Sequence, residues 1–360
     1  MAKTIQQILA APNMIGVIQA VKTGVPNPYG EAFLSLTAGT NADYGHYHKV
    51  EGTRQTARLV QYGSPSVRRA QKGVTRVPVK LLHSFEHEMH DPVVLQNLLQ
   101  VGNPGVQAMG EAEIDRQSAL FATLFKNLRV TSVASMLCQG AVHFDGDGNL
   151  LPSSAGAVVS IDYGVPGDHL DQCGGLVATK WSTTSANIGQ QLENIRNQAL
   201  KDTGYELTTA YYGSSVAGWI MANDYVQALA AGNSAIAGAL LQHTIPDGLF
   251  GLKWRPAGSS FFVDADGTAQ TVCPSDAVVL APEPTRDWYE MLEGTYPVPT
   301  DIGSVASGPV AAAGNVRLAR GMFSYATVLN DPVTIKHNAG DTFLPVLKVP
   351  SAIFILDVEF

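Results

Sequence analysis

The stretch from Asn103 to Leu137 constrains this chain more than any other. Asn103-Pro104 predicts a helix start, with Asn as the cap and Pro at the first helical position, where no amide donor is needed. Val106, Met109, Ile114, Leu120, Phe121, Leu124, Phe125, Leu128 and Leu137 then recur at steps of three and four or their sums, the apolar stripe of an amphipathic helix. Glu111, Glu113 and Asp115 precede Lys126 and Arg129, the order that suits the helix dipole, and Gly140 offers a left-handed stop. At 1.5 Å per residue such a helix is a rod of roughly 50 Å. A rod of that length suits an elongated, flattened subunit better than a compact enzyme domain.

Charge supports a chain that is completed by partners. Only 15% of the 360 residues are charged, against about 25% in typical soluble domains, while apolar content is an ordinary 45%. Depletion of charge is what an exterior buried against other subunits would carry. The net charge of −8 is also unevenly spread. Between Lys49 and Lys80 there are eight basic residues (Lys49, Arg54, Arg58, Arg68, Arg69, Lys72, Arg76, Lys80) and one acid, Glu51. That segment is +7 and the remainder −15. A basic arm on an acidic body can bind nucleic acid or another copy of the body. Its aromatics are few, Tyr47 and Tyr62, which gives base stacking little to work with, and an acidic body repels DNA.

The order of elements predicts an α+β chain with antiparallel strands. Short helical turns at Thr4–Leu9 and Asn13–Thr23 precede Pro26 and Pro28 and form an arm over residues 1–45. Residues 46–90 alternate weakly at Thr56–Tyr62 and Val74–Leu82 around Gly63-Ser64-Pro65 and Gly73, a two-stranded excursion with a basic tip. After the long helix, Asp145-Gly146-Asp147-Gly148-Asn149 is a hairpin turn. A second helix is predicted over Ala186–Lys201, with Ile188, Leu192, Ile195 and Ala199 on one face and Gly204 as stop. Ser214 is a candidate cap for a third helix carrying Val216, Trp219, Ile220, Val226 and Leu229. Short strands follow at Phe250–Trp254, Ser259–Val263, Thr268–Cys273 and Ala277–Leu280, then at Phe323–Leu329, Val333–Lys336 and Ile353–Phe360. Cys138, Cys173 and Cys273 lack metal or redox spacing and fit small buried hydrophobes made under reducing conditions. No run reaches the ~18 apolar residues of a membrane span, and Gln6, Gln7, Pro12 and Asn13 break any signal-peptide core.

Three motifs approach catalytic patterns. On a helix, His83, His87 and His90 would share a face, which is the basis for a histidine-site metallohydrolase as an alternative function. The zincin spacing fails, because His90 follows His87-Glu88 one residue early. Asp145–Asn149 starts like a calcium loop but has Leu150 where Gly is needed and Gly156 where Glu is needed. Gly213-Ser214-Ser215-Val216-Ala217 approximates a nucleophile elbow with Ala217 in place of the second Gly. No catalytic residue, metal ligand or cofactor follows from these. A nucleic-acid-binding protein using segment 49–80 is the other alternative.

The sequence resembles a known family at several points. They are Val79–Glu88 leading into Pro104–Leu137, the turn Phe144–Asn149, Trp181 followed by Ala186–Lys201, Asp247-Gly248-Leu249, the hairpin Ser259–Asp276 ending in Ala281-Pro282-Glu283, and the final run Pro350–Phe360. In this order they resemble the major capsid protein of tailed bacteriophages with the Hong Kong 97 (HK97) fold, specifically the lambda-like major capsid protein E family. The resemblance implies an N-terminal arm (1–45), an extended loop (46–90), a peripheral domain (91–185 with 300–360) and an axial domain (186–299). It implies hexamers and pentamers that form an icosahedral head shell around double-stranded DNA, without sequence-specific DNA contacts, catalysis, cofactor or membrane. Implied partners are other copies of the chain, a separate scaffolding protein, a portal and a decoration protein. The implied location is the virion capsid, assembled in the host bacterial cytoplasm. In the extended loop Arg54, Arg58, Arg68, Arg69, Lys72 and Arg76 are the expected inter-subunit contacts. Glu283, Asp287, Glu290 and Glu293 are the candidate acidic partners.

Overall fold

The structure is a computed structural model of the 360-residue chain. It describes residues 14, 15, 18, 19, 27–40, 44–50, 74–99, 104–242, 244–259, 261–263, 269–299, 316–330 and 333–360. The predicted rod is one helix, Pro104–Gln139, and Gly140 ends it at φ +66° with its amide on the Met136 carbonyl. Its two halves differ. From Val130 to Cys138 every residue is buried, whereas in the first half Ile114, Phe121 and Phe125 are buried but Met109, Leu120 and Leu124 lie open. The predicted stripe is therefore wider than the face this subunit covers.

Two five-stranded sheets flank the rod. In the first, Val333–Leu347 is the organising strand. It pairs antiparallel with Phe323–Asn330, with Leu82–Met89 and, at its end, with Tyr289–Glu293, which also pairs parallel with Thr37–Gly39. Val333–Lys336 was the expected length of that strand; it runs eleven residues further. Its polar interior residues are tolerated because they are partnered: Asn338 donates to Thr327 Oγ1, and Asp341 meets Arg129. The second sheet runs Lys253–Pro256, Thr209–Tyr212, Ala277–Ala281, Phe354–Asp357, Leu170–Asp171.

The second sheet is a wall between two cores, and strand alternation does the sorting. Val278, Leu280, Phe354 and Leu356 face a core with Trp181, Leu192, Ile195 and Val226. Val279, Ala281, Ile353 and Ile355 face the other core, with Val133, Leu137, Trp288 and Phe343. Where three chain segments meet at its edge, two glycines are required. A Cβ on Gly213 would stand 2.1 Å from the Pro274 carbonyl oxygen, and one on Gly258 would stand 2.3 Å from the Ser214 amide.

The second predicted helix is observed at Ile188–Asp202, capped by Asn187, with Ile188, Leu192, Ile195 and Ala199 buried and Gly204 beyond it at φ +81°. The third differs from expectation. It starts at Val216 rather than being capped by Ser214, and it breaks at Asn223 into Val216–Ala222 and Asp224–Gly232. Asn223 causes the break: its side chain accepts from the Tyr225 and Val226 amides and donates to the Thr184 and Ala186 carbonyls, holding the turn to a neighbouring loop.

Candidate functional site

The extended loop has a described root. Tyr44–Val50 pairs antiparallel with Val74–Lys80, with His48 opposite Arg76. The strands Thr56–Tyr62 and the loop tip fall outside the described residues. Alternation turns Arg76, Pro78 and Lys80 outward and Val77 and Val79 inward. Tyr47 and Leu81 are buried with Leu292, Leu344 and Val346, which fixes the root to the first sheet. The next strand, Leu82–Met89, is a member of that sheet.

Of the predicted contact residues, Arg76 is exposed on the root, and Arg54, Arg58, Arg68, Arg69 and Lys72 lie outside the described residues. The four candidate acidic partners separate into two pairs. Glu290 is held by Lys348 at 2.6 Å, and Glu293 by Arg129 at 2.8 Å and Arg320 at 3.4 Å, with only 14% and 15% of those carboxylate side chains exposed. Both carboxylates are therefore engaged inside the subunit. Glu283 is on the surface beside Lys253, and Asp287 is exposed with no ion-pair partner among the described residues.

Arg129 was not singled out by sequence, yet it joins the rod to the first sheet. Its Nε and Nη2 donate to the two Asp341 oxygens at 2.6 and 2.7 Å, and Nη1 donates to Glu293. Burial alone would lower its basicity, but the Asp341 and Glu293 carboxylates outweigh burial and raise it, so the guanidinium stays charged. The only sequence signal was its place late in the helix, where a basic residue suits the dipole.

The histidine segment does not form the imagined helical face. Leu82–Met89 is a strand, in which His83 and His87 share one face while His90, three residues further and beyond the strand's end, does not join them. His83 Nδ1 lies 2.8 Å from Thr342 Oγ1. His90 is buried against His337, whose other nitrogen lies 2.7 Å from Ser324 Oγ. Among the described residues only Asp168, His169 and Asp202 bring three potential metal donors together, none of them from that segment. His169 there faces the Ile353 carbonyl and Asp202 and stacks on Phe354, tying the turn Gly167–His169 to the C-terminal strand.

The other motifs have structural explanations. Asp145 accepts from the Asp147 and Asn149 amides and the Asn149 side chain, closing a hairpin between Ala141–Phe144 and Leu150–Leu151. Those bonds, Asn149 foremost, also lower its pKa. Among the described residues no base hydrogen-bonds the Ser214 hydroxyl. Cys138, Cys173 and Cys273 are buried and unpaired, and burial pushes the Cys173 thiol up to about 12, far from a reactive thiolate. No helix of the described residues is long and apolar enough to cross a membrane.

Comparison with known proteins gives one consistent result. A family model described as "Phage major capsid protein E" matches residues 11–358. No curated protein sequence matches the chain. Among solved structures, the chain is similar to a putative capsid protein of a prophage of Escherichia coli CFT073, at 13% identity and TM-score 0.55, covering 97% of this chain and 99% of that one. It is also similar to a phage-related protein from Bordetella bronchiseptica RB50, at 10% identity and TM-score 0.51, covering 99% and 98%. At such identities these likenesses bear on the fold alone.

Proposed function

The chain belongs to the phage major capsid protein E family, and from that premise we propose that its copies assemble into hexamers and pentamers that close an icosahedral head shell around double-stranded DNA. It is a bacteriophage capsid protein with the HK97-type α+β fold, a structural part of the virion. In this reading residues 1–45 are the arm, 46–90 the loop, 91–185 with 300–360 the peripheral domain and 186–299 the axial domain. The second sheet is a seam that both domains share, since it draws strands from 170–171, 209–212, 253–256, 277–281 and 354–357.

The observation that carries the reading is the loop root. A body of charge −15 anchors, through Tyr47 and Leu81, the base of a segment of charge +7. Opposite charges on one repeated unit favour head-to-tail contacts, which close into rings. Arg54, Arg58, Arg68, Arg69, Lys72 and Arg76 then meet a neighbouring copy, with surface carboxylates such as Glu283 and Asp287 among the acceptors. The open apolar residues Met109, Leu120 and Leu124 on the rod favour the same conclusion, as covered surface in an assembly. A separate scaffolding protein directs assembly in the host bacterial cytoplasm, and a portal and a decoration protein complete the head. Electron microscopy of the expressed chain, alone and with its scaffold, tests this: closed shells of uniform size are expected. A soluble monomer under both conditions, with salt-sensitive DNA affinity, would favour the nucleic-acid alternative.

A further inference from the structure

Away from the loop root and the rod, one buried histidine faces two acceptors. His169 lies in the turn Gly167–His169, 2% exposed and stacked on Phe354 with ring centroids 3.8 Å apart. Its Nδ1 is 3.3 Å from the Ile353 carbonyl oxygen, and its Nε2 is 3.4 Å from Asp202 Oδ2. A neutral imidazole carries one proton, so it can satisfy only one of these oxygens. With the proton on Nδ1, toward the carbonyl, the Nε2 lone pair points at a carboxylate oxygen and receives no donor among the described residues. A buried acceptor aimed at a second acceptor calls for a cation between them.

The surroundings supply the rest of a coordination set. Asp168, next to His169 in the chain, brings a third donor, and the ligand atoms of the three residues lie within 4.8 Å of one another. Ligands about 2.0–2.1 Å from a tetrahedral ion stand about 3.4 Å apart. His169 Nε2 and Asp202 Oδ2 already have that separation, and Asp168 is exposed, so its rotamer can close the remaining distance. The ligands also have support behind them. The Ile353 carbonyl selects the tautomer that leaves Nε2 for a metal, and Gln198 Nε2 donates to both Asp202 oxygens at 3.0 and 2.9 Å. Asp202 ends the helix Ile188–Asp202, where the dipole disfavours a carboxylate unless a cation accompanies it. With the imidazole buried and 31% of the Asp202 side chain exposed, the carboxylates form the rim through which an ion enters.

We propose that His169 Nε2, Asp168 and Asp202 bind one zinc-class divalent metal ion, with water in the fourth position. One nitrogen and two carboxylates suit zinc, whereas magnesium and calcium take oxygen ligands and copper(I) prefers sulfur. The ion ties the turn Gly167–His169 to the end of the helix Ile188–Asp202 and, through the stack on Phe354, to the strand Phe354–Asp357. Its role is structural and belongs to the single subunit, so it does not depend on the shell-forming reading.

Zinc chloride titrated calorimetrically into the full-chain subunit, after a chelator has been added and removed, tests the site. One equivalent is expected to bind, and saturating zinc is expected to raise the melting temperature by a few degrees. Magnesium chloride at the same concentration should leave melting unchanged. Asp168→Asn/Asp202→Asn alters two carboxylates at the rim, so circular dichroism should match the wild type. Its zinc affinity should fall by at least about tenfold, the loss that removing outer-shell partners alone produces. His169→Phe keeps a ring on Phe354 and removes the nitrogen; it should lose the zinc-dependent rise in melting. Zinc held elsewhere, for instance by the exposed His87, would survive both variants, and that result overturns the proposal. An equal effect of magnesium overturns it too, as does the absence of zinc binding, the outcome if a second proton on His169 satisfies both oxygens instead.

Discussion

Arg129 on the long helix and Asp341 on the central strand of the first sheet form a two-point ion pair, and the Asp341 side chain is fully buried. The pair fixes the rod against the sheet, with Glu293 taking a third guanidinium donor and Phe343 lying 5.3 Å beneath the guanidinium. Burial pushes the Asp341 carboxyl up and the two Arg129 donors oppose that rise, so the carboxylate depends on its partner.

Removing the arginine strands a buried charge. Arg129→Met should cost roughly 3–5 kcal/mol, read as a lower urea midpoint for the unassembled subunit. Arg129→Met/Asp341→Leu should recover much of that loss. If the single variant unfolds at the wild-type midpoint, the pair does not fix the rod.

The buried imidazoles predict an acid-sensitive subunit. His337 is lowered to about 3 by burial and by its neighbour His90, which is itself lowered by burial against the opposing pull of Glu88 and Glu113. Unfolding returns each to near the ordinary 6.5. Below that pH the unfolded chain binds protons that the folded one does not, so stability falls as pH drops. The slope is about 1.4 kcal/mol per pH unit for one such group, continuing toward pH 3 for His337. Urea midpoints between pH 7 and 4 should show it, and His337→Gln should flatten it.

Gly213→Ala should fail where most surface substitutions are tolerated. Its Cβ would fall within 2.5 Å of two carbonyl oxygens at the edge of the second sheet, in backbone that cannot withdraw without parting strands. Insoluble or protease-sensitive protein is expected; a melting temperature within a degree of wild type would contradict the close approach.

What sequence revealed, and what it did not, follows the range of the interactions. The rod, the Asp145–Asn149 turn and the face of Ile188, Leu192, Ile195 and Ala199 arise within a few residues of chain, so periodicity and turn chemistry found them. Leu82–Met89 read as part of the extended loop because the strand it pairs with, Val333–Leu347, lies far along the chain. Val333–Leu347 looked too polar to continue past Lys336, since His337, Asn338 and Asp341 acquire their partners only in the folded subunit. Glu290 and Glu293 resembled free acids for the same reason.

The central claim is that the basic limb of one copy holds its neighbour, and reversing its charge tests that most directly. Arg68→Glu/Arg69→Glu should give a subunit with wild-type circular dichroism and melting that forms no stable shells by electron microscopy, under conditions where the wild-type chain does. Normal shells from the variant, in normal yield, would contradict the role given to the limb.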